Sequence, residues 1–472
     1  MKLALKLIVF VFLGCILQGT VYSQPQSWDK KKARKEAKKI EDKYNHSGHF
    51  KKIDSNTKLQ EYLKIAAINN PGLQSAFYDW KAAMEQMGSM GALPDPAITF
   101  GHYIENVETR VGPQKQKIGL RQMFPWFGTL GNKEDIAFER SNASYKKFQS
   151  EFLKVLYQVK SAYYDYYLLG REIEITKENI MLLKFWESIA RSKYTVALKQ
   201  HPDVIKAHLE LGKLEDRLLT LKDMKKPIET RLLTALNIPD TVSLPIPLRI
   251  ELQEVTASDK DYINDIIQNN PDLDAIKYTI EKEKLAVELA KKSSLPNFTL
   301  GLDYIVTGEA VNRELDESGK DSWLISVGIT LPIWAGKNDA KKNEARARQR
   351  SAQYLFEKKE NQLIIMAERV IFEHDDALRK IKLYRDGLVP KAEQSLNAAY
   401  RAYQAGKADF LNVLDAQRQL LDFQLMLDRS KTDLAKRKAE LDMLTGVEIR
   451  EKWGPRIQGV EDSSEITLKP RN

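Results

Sequence analysis

Cysteine is nearly absent from this sequence: Cys15 is the only one among 472 residues. A chain with one cysteine forms no internal disulfide, so its stability depends on packing. After the first 23 residues the sequence also lacks any run of about eighteen apolar residues, which argues against a helical membrane span. It has no nucleophile elbow, no phosphate-binding glycine loop and no cluster of His, Cys and carboxylate ligands. We therefore expect neither an enzyme nor a cofactor-binding protein.

An excess of positive charge is confined to the start of the chain. The net charge is +9, but residues 1–52 contain 12 Lys/Arg and 4 Asp/Glu, which leaves 62 against 61 in the remainder. A nearly neutral body does not favour binding to nucleic acid. We interpret the basic run from Lys30 to Lys43 as a solvated or peptidoglycan-side segment within a leader of residues 24–55.

The first 23 residues have the pattern of a secretory signal peptide. Lys2 and Lys6 precede the apolar stretch Leu7–Leu17, and Val21-Tyr22-Ser23 forms a small-residue cleavage site. An alternative stays open, because Leu13-Gly14-Cys15 is similar to the end of a lipobox and Cys15 would then carry lipid. Both interpretations predict an exported protein.

The rest of the chain is internally duplicated. Asn69-Asn70-Pro71 recurs 200 residues later as Asn269-Asn270-Pro271, and the segment 96–101 recurs in the same way as 296–301. This periodicity predicts two structural repeats, residues 56–237 and 259–446, joined by a Pro-rich equatorial connection at 238–258 and followed by a tail at 447–472. Each repeat is predicted to contain a helix, two short strands, a very long helix and a return helix.

Heptad spacing of apolar residues predicts the long helices. The two seams are Phe148, Phe152, Val155, Val159, Ala162, Tyr166, Leu169 and Ile173, and Leu363, Ala367, Val370, His374, Ala377, Ile381, Tyr384 and Leu388. No proline interrupts residues 129–198, whereas Pro390 is expected to bend the helix predicted at 337–404. Return helices would complete two antiparallel hairpins.

Four short segments alternate between apolar residues and small or polar ones, which is typical of transmembrane β-strands. The residues expected to face lipid are Phe100, Leu120, Leu300, Trp323, Ile325 and Val327. Bacterial barrels contain at least eight strands, so several chains would have to contribute to one wall. The predicted fold is mainly α with a small β part. The alternative is a periplasmic coiled-coil structural or adaptor protein that forms no pore.

These features together resemble the TolC-type outer-membrane efflux channels. The resemblance rests on the duplication, the Asn-Asn-Pro helix starts, the barrel exits Phe124–Gly128 and Leu331–Gly336, and the stretch Tyr403–Gln417. It implies a homotrimer in the outer membrane with a twelve-stranded barrel, four strands per chain, and a helical tunnel across the periplasm. It also implies two partners, a periplasmic adaptor (membrane fusion) protein and an inner-membrane transporter. The three proteins would form a tripartite efflux system with an RND-type transporter, or a type I secretion system.

The resemblance also carries over particular residues. Asp415 matches an acidic position of the ring that narrows the tunnel entrance, while Asn412 stands where some members have a second aspartate. The residues expected to contact the adaptor are Gly406, Lys407, Tyr403, Tyr194 and Pro202. A glycine at 406 would suit a helix end that needs a positive φ.

A further expectation concerns metal export. The first barrel exit, Phe124–Gly128, looks like that of the heavy-metal-exporting branch of the family. Met84, Met87 and Met90 are spaced by three on a predicted helix and could offer thioethers to Cu(I) or Ag(I). The same spacing is also typical of core packing, and both interpretations stay open.

Overall fold

The computed structural model of this chain describes residues 24–45, 53–54, 57–195, 202–252, 259–311 and 316–449. The predicted signal peptide, Cys15 and most of the C-terminal tail lie outside the described residues. Within the described ranges, every helix is too short or too polar to cross a membrane.

The two repeats share one order of elements, except that the second long helix is divided by a π-helical turn and only the first repeat has two helices in its return segment. A leading helix α1 (Gln24–Asn45) precedes the first repeat, which consists of α2 (Leu59–Asn69), α3 (Pro71–Met90), β1 (Ala97–Val107), β2 (Gln114–Phe124), α4 (Thr129–Thr195), α5 (Pro202–Asp223) and α6 (Lys225–Leu236). The second repeat consists of α7 (Asp259–Asn269), α8 (Pro271–Lys292), β3 (Asn297–Thr307), β4 (Ser322–Thr330), α9 (Ala335–Leu383), a π-helical turn (Tyr384–Leu388), α10 (Val389–Gln404) and α11 (Phe410–Thr445). The molecule is therefore mainly helical with one small sheet, as predicted.

The chain forms two compact units, and neither coincides with one repeat. The first unit lies within residues 1–37, 78–146 and 274–358 and contains the sheet with the helix segments that enter and leave it. The second unit lies within residues 38–77, 147–273 and 359–472 and contains the remaining helix segments.

The sheet of the first unit has four antiparallel strands in the order β1-β2-β3-β4. β1 and β4 are its edges, and the contact between β2 and β3 joins the two repeats. The loops that follow β1 and β3 also meet, because the Gly308 amide donates to the Pro113 carbonyl and the Gly319 amide to the Val111 carbonyl, both at 2.7 Å.

The Asn-Asn-Pro motifs join helices in the second unit. The Oδ1 atom of Asn70 accepts a hydrogen bond of 3.1 Å from the first turn of α3, and its Nδ2 donates to the Ala235 carbonyl near the end of α6. Asn270 does the same in the second repeat, accepting 2.9 Å from the first turn of α8 and donating 2.9 Å to the Leu444 carbonyl of α11. One asparagine side chain therefore caps one helix and fastens the end of another.

The predicted seams of the long helices are confirmed as buried stripes. Val155, Val159, Ala162, Tyr166 and Leu169 are buried on α4, as are Leu363, Ala367, Val370, His374, Ala377 and Ile381 on α9. Tyr166 and His374 occupy matching places, so both copies keep a polar group on an otherwise apolar seam.

Two features of the helices add detail that the sequence prediction did not contain. The basic leader, expected to be a solvated segment, forms the helix α1, whose Ala37 is buried and whose Tyr44 ring lies 5.3 Å from that of Phe77. The second long helix, which Pro390 was expected to bend, is interrupted by the π-helical turn Tyr384–Leu388, which ends two residues before Pro390. The proline ring removes one backbone donor, and the wider π turn absorbs that missing bond.

The Pro-rich connection is irregular where the structure describes it, through residue 252. Leu244 anchors it: the Leu244 amide donates to the Glu229 carboxylate at 2.6 Å, and its carbonyl accepts 2.8 Å from the Tyr166 hydroxyl. The Leu244 side chain is buried. The connection is thus fixed to both α6 and α4 at one point.

Candidate membrane-spanning sheet and hairpin loop

The strand register places most of the apolar residues of the four strands on one face of the sheet. Opposite partners across the sheet form the apolar rows Phe100-Ile118-Tyr304-Trp323, Ile98-Leu120-Leu302-Ile325, Gln122-Leu300-Val327 and Phe124-Phe298-Ile329. A slip of one residue in any strand would move its whole apolar set to the other face. The register therefore supports the interpretation that one continuous face meets an apolar environment.

This face is uncovered. The residues predicted to face lipid are exposed to different degrees: Phe100 66%, Leu120 48%, Leu300 37%, Trp323 67%, Ile325 60% and Val327 60%. A soluble monomer rarely leaves so large a contiguous apolar surface in contact with water. The 11-residue strands β1 and β3, at about 3.3 Å per residue and a tilt near 45°, span about 25 Å, which is the height of the apolar band of bacterial barrels.

The opposite face carries glycines and charged groups. Lys117 and Asp303 form an ion pair of 2.9 Å between β2 and β3, in which the Asp303 side chain is 2% exposed. Gly119 lies between Asp303 and Thr99, and a Cβ there would overlap the Asp303 carboxylate and lie 2.6 Å from the Thr99 hydroxyl. The glycine thus leaves the space that this ion pair needs. Alternation along each strand predicts this polar face, but it contains no signal for the ion pair.

Aromatic residues flank the apolar band at both ends. Tyr304 and Trp323 have ring centroids 4.9 Å apart near the loops, and Trp126 stacks on Phe298 at 5.8 Å where β2 leads into α4. Trp334, where β4 leads into α9, is 70% exposed. Aromatic girdles at both interfaces are typical of transmembrane barrels, because such side chains favour the headgroup level.

Gly128 makes the turn from β2 into α4. Its φ is +71°, and Lys292 Nζ donates to its carbonyl and to Asn132 Oδ1, both at 3.1 Å. Lys292 ends α8, the helix that leads to β3, so one ammonium group joins two of the four places where helix and strand meet in the first unit. A side chain at position 128 would be strained by φ and would meet the ammonium at 2.7 Å.

The loop between α10 and α11 contains the predicted adaptor contacts of the second repeat. Gly406 has φ +74°, as predicted, and the Lys407 amide donates to the Ala402 carbonyl at 2.9 Å, which closes a Schellman motif. Tyr403 and Phe410 are both buried, with ring centroids 5.2 Å apart. Burial, and to a lesser degree the charge of Asp203, raise the pKa of Tyr403 to about 12.

Tyr403 therefore supports this loop from inside, while Gly406 and Lys407 are exposed. In the first repeat, Tyr194 lies in the last turn of α4 and Pro202 begins α5. The side chains of Tyr194 and Pro202, and the loop between them, lie outside the described residues.

Asp415 lies on the exposed face of α11 and has a cationic partner. The Arg418 guanidinium is 3.3 Å from the Asp415 carboxylate and also pairs with Glu210 of α5. The hydrogen bond from Arg418 lowers the pKa of Glu210 and raises that of Arg418 itself. Asn412 is exposed one turn earlier. One arginine thus connects the second-repeat helix to the first-repeat helix beside the candidate gate residue, a contact that the sequence analysis missed.

The three methionines are separated by their surroundings. Met84 and Met87 are each 2% exposed, whereas Met90 at the end of α3 is 40% exposed. The two buried thioethers belong to the packed interior of the first unit.

Comparisons with known proteins agree with this geometry. Residues 262–447 match the family described as "Outer membrane efflux protein". The chain is 24% identical over 345 residues to toxin and drug export protein A of Aggregatibacter actinomycetemcomitans, covering 70% of this chain and 73% of that protein. It is 21% identical to the outer membrane protein OprJ of Pseudomonas aeruginosa, covering 87% and 88%.

A solved structure shares the fold. The outer membrane protein VceC from Vibrio cholerae matches with a TM-score of 0.68 and 18% identity, covering 82% of this chain and 96% of VceC. The predicted resemblance to the TolC-type channels is confirmed, and the family matched by residues 262–447 consists of passive outer-membrane efflux channels and not of enzymes. This chain is an outer-membrane protein with a large periplasmic helical part.

Proposed function

We propose that three copies of this chain close their sheets into one twelve-stranded barrel and continue it as a helical tunnel across the periplasm. The channel serves as the passive exit duct of a tripartite efflux system. A periplasmic adaptor docks at the hairpin loops, and an inner-membrane transporter, of the RND type, delivers the substrate. The Lys117–Asp303 face lines the water-filled lumen, and the apolar face meets lipid.

The observation that carries this proposal is the combination of an exposed apolar face with two open edges. β1 and β4 leave unpaired backbone groups, which cost several kcal/mol each in hydrocarbon. Because β1 and β4 run in opposite directions in an even-stranded sheet, β4 of one copy can pair antiparallel with β1 of the next. Two, three or more copies satisfy this rule, and the family resemblance selects three.

The proposed entrance gate is formed by Asp415 and Asn412. Only one of the two positions carries an acid, and the nearby Arg418 offsets part of its charge, so the ring of the trimer is weakly acidic. Arg418 also forms an ion pair with Glu210 on α5, and this pair connects the hairpins of the two repeats in the closed state of the proposed gate. Gly406 and Lys407 form the adaptor-contact surface of the second hairpin, and Tyr403 positions it.

Electrophysiology and size analysis of the purified protein test the channel proposal together. We expect a heat-labile trimer in mild detergent that produces conductance steps in planar lipid bilayers. A monomer that stays soluble without detergent and gives no conductance would instead support a periplasmic coiled-coil structural or adaptor protein.

The gate assignment has its own test. Asp415→Asn is expected to reduce the cation preference of the pore and its block by divalent cations, because each trimer loses three carboxylates at its narrowest part. The control is Asp422→Asn, because Asp422 lies two turns further along the same helix and is also exposed to solvent. This variant is expected to change both properties less. Equal behaviour of Asp415→Asn and the unaltered channel would contradict the gating role.

A further inference from the structure

The helix segments of the first unit lie side by side in the same order as the strands. Trp80 of α3 packs against Tyr145 of α4, with ring centroids 4.7 Å apart. Lys146 of α4 forms an ion pair of 3.0 Å with Asp274 of α8. Residues of α8 and α9 line one cavity, so these two helices are also neighbours. The order α3-α4-α8-α9 therefore follows β1-β2-β3-β4, and α3 and α9 are the edge helices just as β1 and β4 are the edge strands.

The edge helix α9 begins with an excess of positive charge. Residues 335–350 contain six basic and two acidic residues. Both acids are already paired within the helix, Asp339 with Lys342 at 3.5 Å and Glu344 with Arg348 at 2.6 Å. The other four basic residues are exposed and have no ion pair in the part of the chain that the structure describes: Lys337, Lys341, Arg346 and Arg350.

The edge helix α3 has the opposite charge on its exposed side. Its two acids, Asp79 and Glu85, are exposed, and neither has an ion pair among the described residues. Its one basic residue, Lys81, is half-buried and lies over the Tyr78 ring at 6.0 Å. Because α4 and α8 separate α3 from α9 within one copy, these acids and the free cations of α9 belong to opposite edges of the unit.

The charges of the two edges also lie at matching heights. Four residues separate β4 from α9, and six separate α3 from β1, so both helices start close to the sheet. Glu85 lies five residues from the sheet-side end of α3, and Lys341 lies six from that of α9. Asp79 and Arg346 each lie eleven residues from these ends. At a rise of about 1.5 Å per residue, the members of each pair differ in height by at most about 1.5 Å.

We propose that the acidic edge of α3 in one copy binds the basic edge of α9 in the next copy, with Glu85 facing Lys341 and Asp79 facing Arg346. This inference rests on the proposed channel, in which β4 of one copy pairs with β1 of the next and so brings these two helices together. Each copy carries both edges, so the contact is head-to-tail and repeats around a closed ring. The complementary charges set the order and register in which copies join.

The test is a charge swap read out as the rate at which the trimer dissociates in mild detergent at a fixed elevated temperature. One variant reverses the acids (Asp79→Lys with Glu85→Lys), a second reverses the bases (Lys341→Glu with Arg346→Glu), and a third combines all four changes. The control joins the reversed acids to Lys206→Glu and Lys222→Glu, two exposed lysines of the other unit. It has the same net charge as the combined variant but leaves the basic edge unchanged. Circular dichroism verifies that every variant is folded.

We expect each one-sided reversal to speed dissociation at least about fivefold, because exposed ion pairs are individually weak but each trimer has three such contacts. The combined variant should return to the rate of the unaltered trimer, whereas the control should dissociate as fast as the acid-reversed variant. Salt should reduce all these differences, because it screens exposed charges.

Two results would overturn this pairing while leaving the channel proposal intact: a trimer whose dissociation rate responds to neither one-sided reversal, or a combined variant that is no more stable than the control. The first result would leave the cations of α9 to another anion, such as a lipid headgroup. An unaltered protein that forms no trimer would overturn both proposals.

Discussion

A lysine in the middle of the apolar face should destabilise the membrane-inserted protein far more than a lysine beside it on the polar face. Val327 lies near the centre of β4, between Trp323 and the exit at Leu331, and its side chain is 60% exposed on the face assigned to lipid. Its neighbour Ser326 lies on the opposite face, where it opposes Gly301. Val327→Lys and Ser326→Lys therefore place the same charge at nearly the same depth on opposite sides of one strand.

The expected magnitude follows from the cost of a lysine on the lipid side. At the bilayer midplane this cost is about 2–4 kcal/mol per chain, so three copies in a trimer would add about 6–12 kcal/mol. Per chain, this reduces the folding equilibrium constant by about 30-fold to 900-fold. Ser326→Lys keeps its ammonium group in water and is expected to cost less than about 1 kcal/mol. Ile325→Lys, closer to the aromatic girdle at Trp323, is expected to fall between the two.

The assay is guanidinium-dependent folding into lipid vesicles, followed by tryptophan fluorescence and by heat-modifiable gel mobility. The predicted order of destabilisation is Val327→Lys, then Ile325→Lys, then Ser326→Lys. The assignment of faces would be refuted if Ser326→Lys destabilised the protein as much as Val327→Lys. It would also be refuted if neither variant changed the stability of the protein folded into vesicles.

Three further predictions concern packing and charge. Gly119→Ala should destabilise the sheet by about 1–3 kcal/mol, because the added Cβ would overlap the Asp303 carboxylate. The control Gly101→Ala should be nearly neutral, since the nearest atom to its added Cβ is 4.0 Å away. Thermal unfolding in detergent measures both. Asn270→Ala should lower the unfolding free energy by about 1–3 kcal/mol, since it removes the cap of α8 and leaves the Leu444 carbonyl of α11 without its donor. Urea unfolding measures this change. A neutral result would contradict the role of Asn270 in joining the two helices. The hydrogen bond and ion pair with Arg418 lower the pKa of Glu210. The contribution of this pair to stability is therefore present above the ordinary pKa of 4.5 and is lost as the pH falls through the lowered pKa. In that pH range the melting temperature of Glu210→Gln should depend less on pH than that of the unaltered protein.

The parts of this fold that depend on local periodicity could be predicted from the sequence. Alternation with a period of two fixes which side of a strand each residue faces, so the shared apolar face that includes Phe100 and Val327 could be predicted without knowledge of the strand pairing. Heptad spacing identified the buried seams in the same way, and the positive φ of Gly406 followed from its place after a helix.

The features that sequence reasoning missed depend on contacts between distant segments. Lys117 and Asp303 are far apart in sequence and meet only because β2 pairs with β3, and Arg418 reaches Glu210 because the hairpins of the two repeats lie side by side. A pattern within one segment contains no signal for either ion pair. The helix α1 was missed for another reason: its charge density favours a solvated segment, and only its packing, through residues such as Tyr44, provides the apolar contact that stabilises the helix.

A closed barrel requires that the edge of one sheet meets the edge of another copy in the membrane, and cysteine cross-linking measures this contact directly. In a chain without Cys15, Thr99→Cys on the lumen face of β1 is combined in turn with Leu324→Cys, Ser326→Cys, Gly328→Cys or Thr330→Cys on the same face of β4. We predict that at least one pair, oxidised in outer membranes, gives a covalent product that stops at three chains. Only monomers with an internal cross-link, or a ladder that continues past three, would contradict the closed barrel.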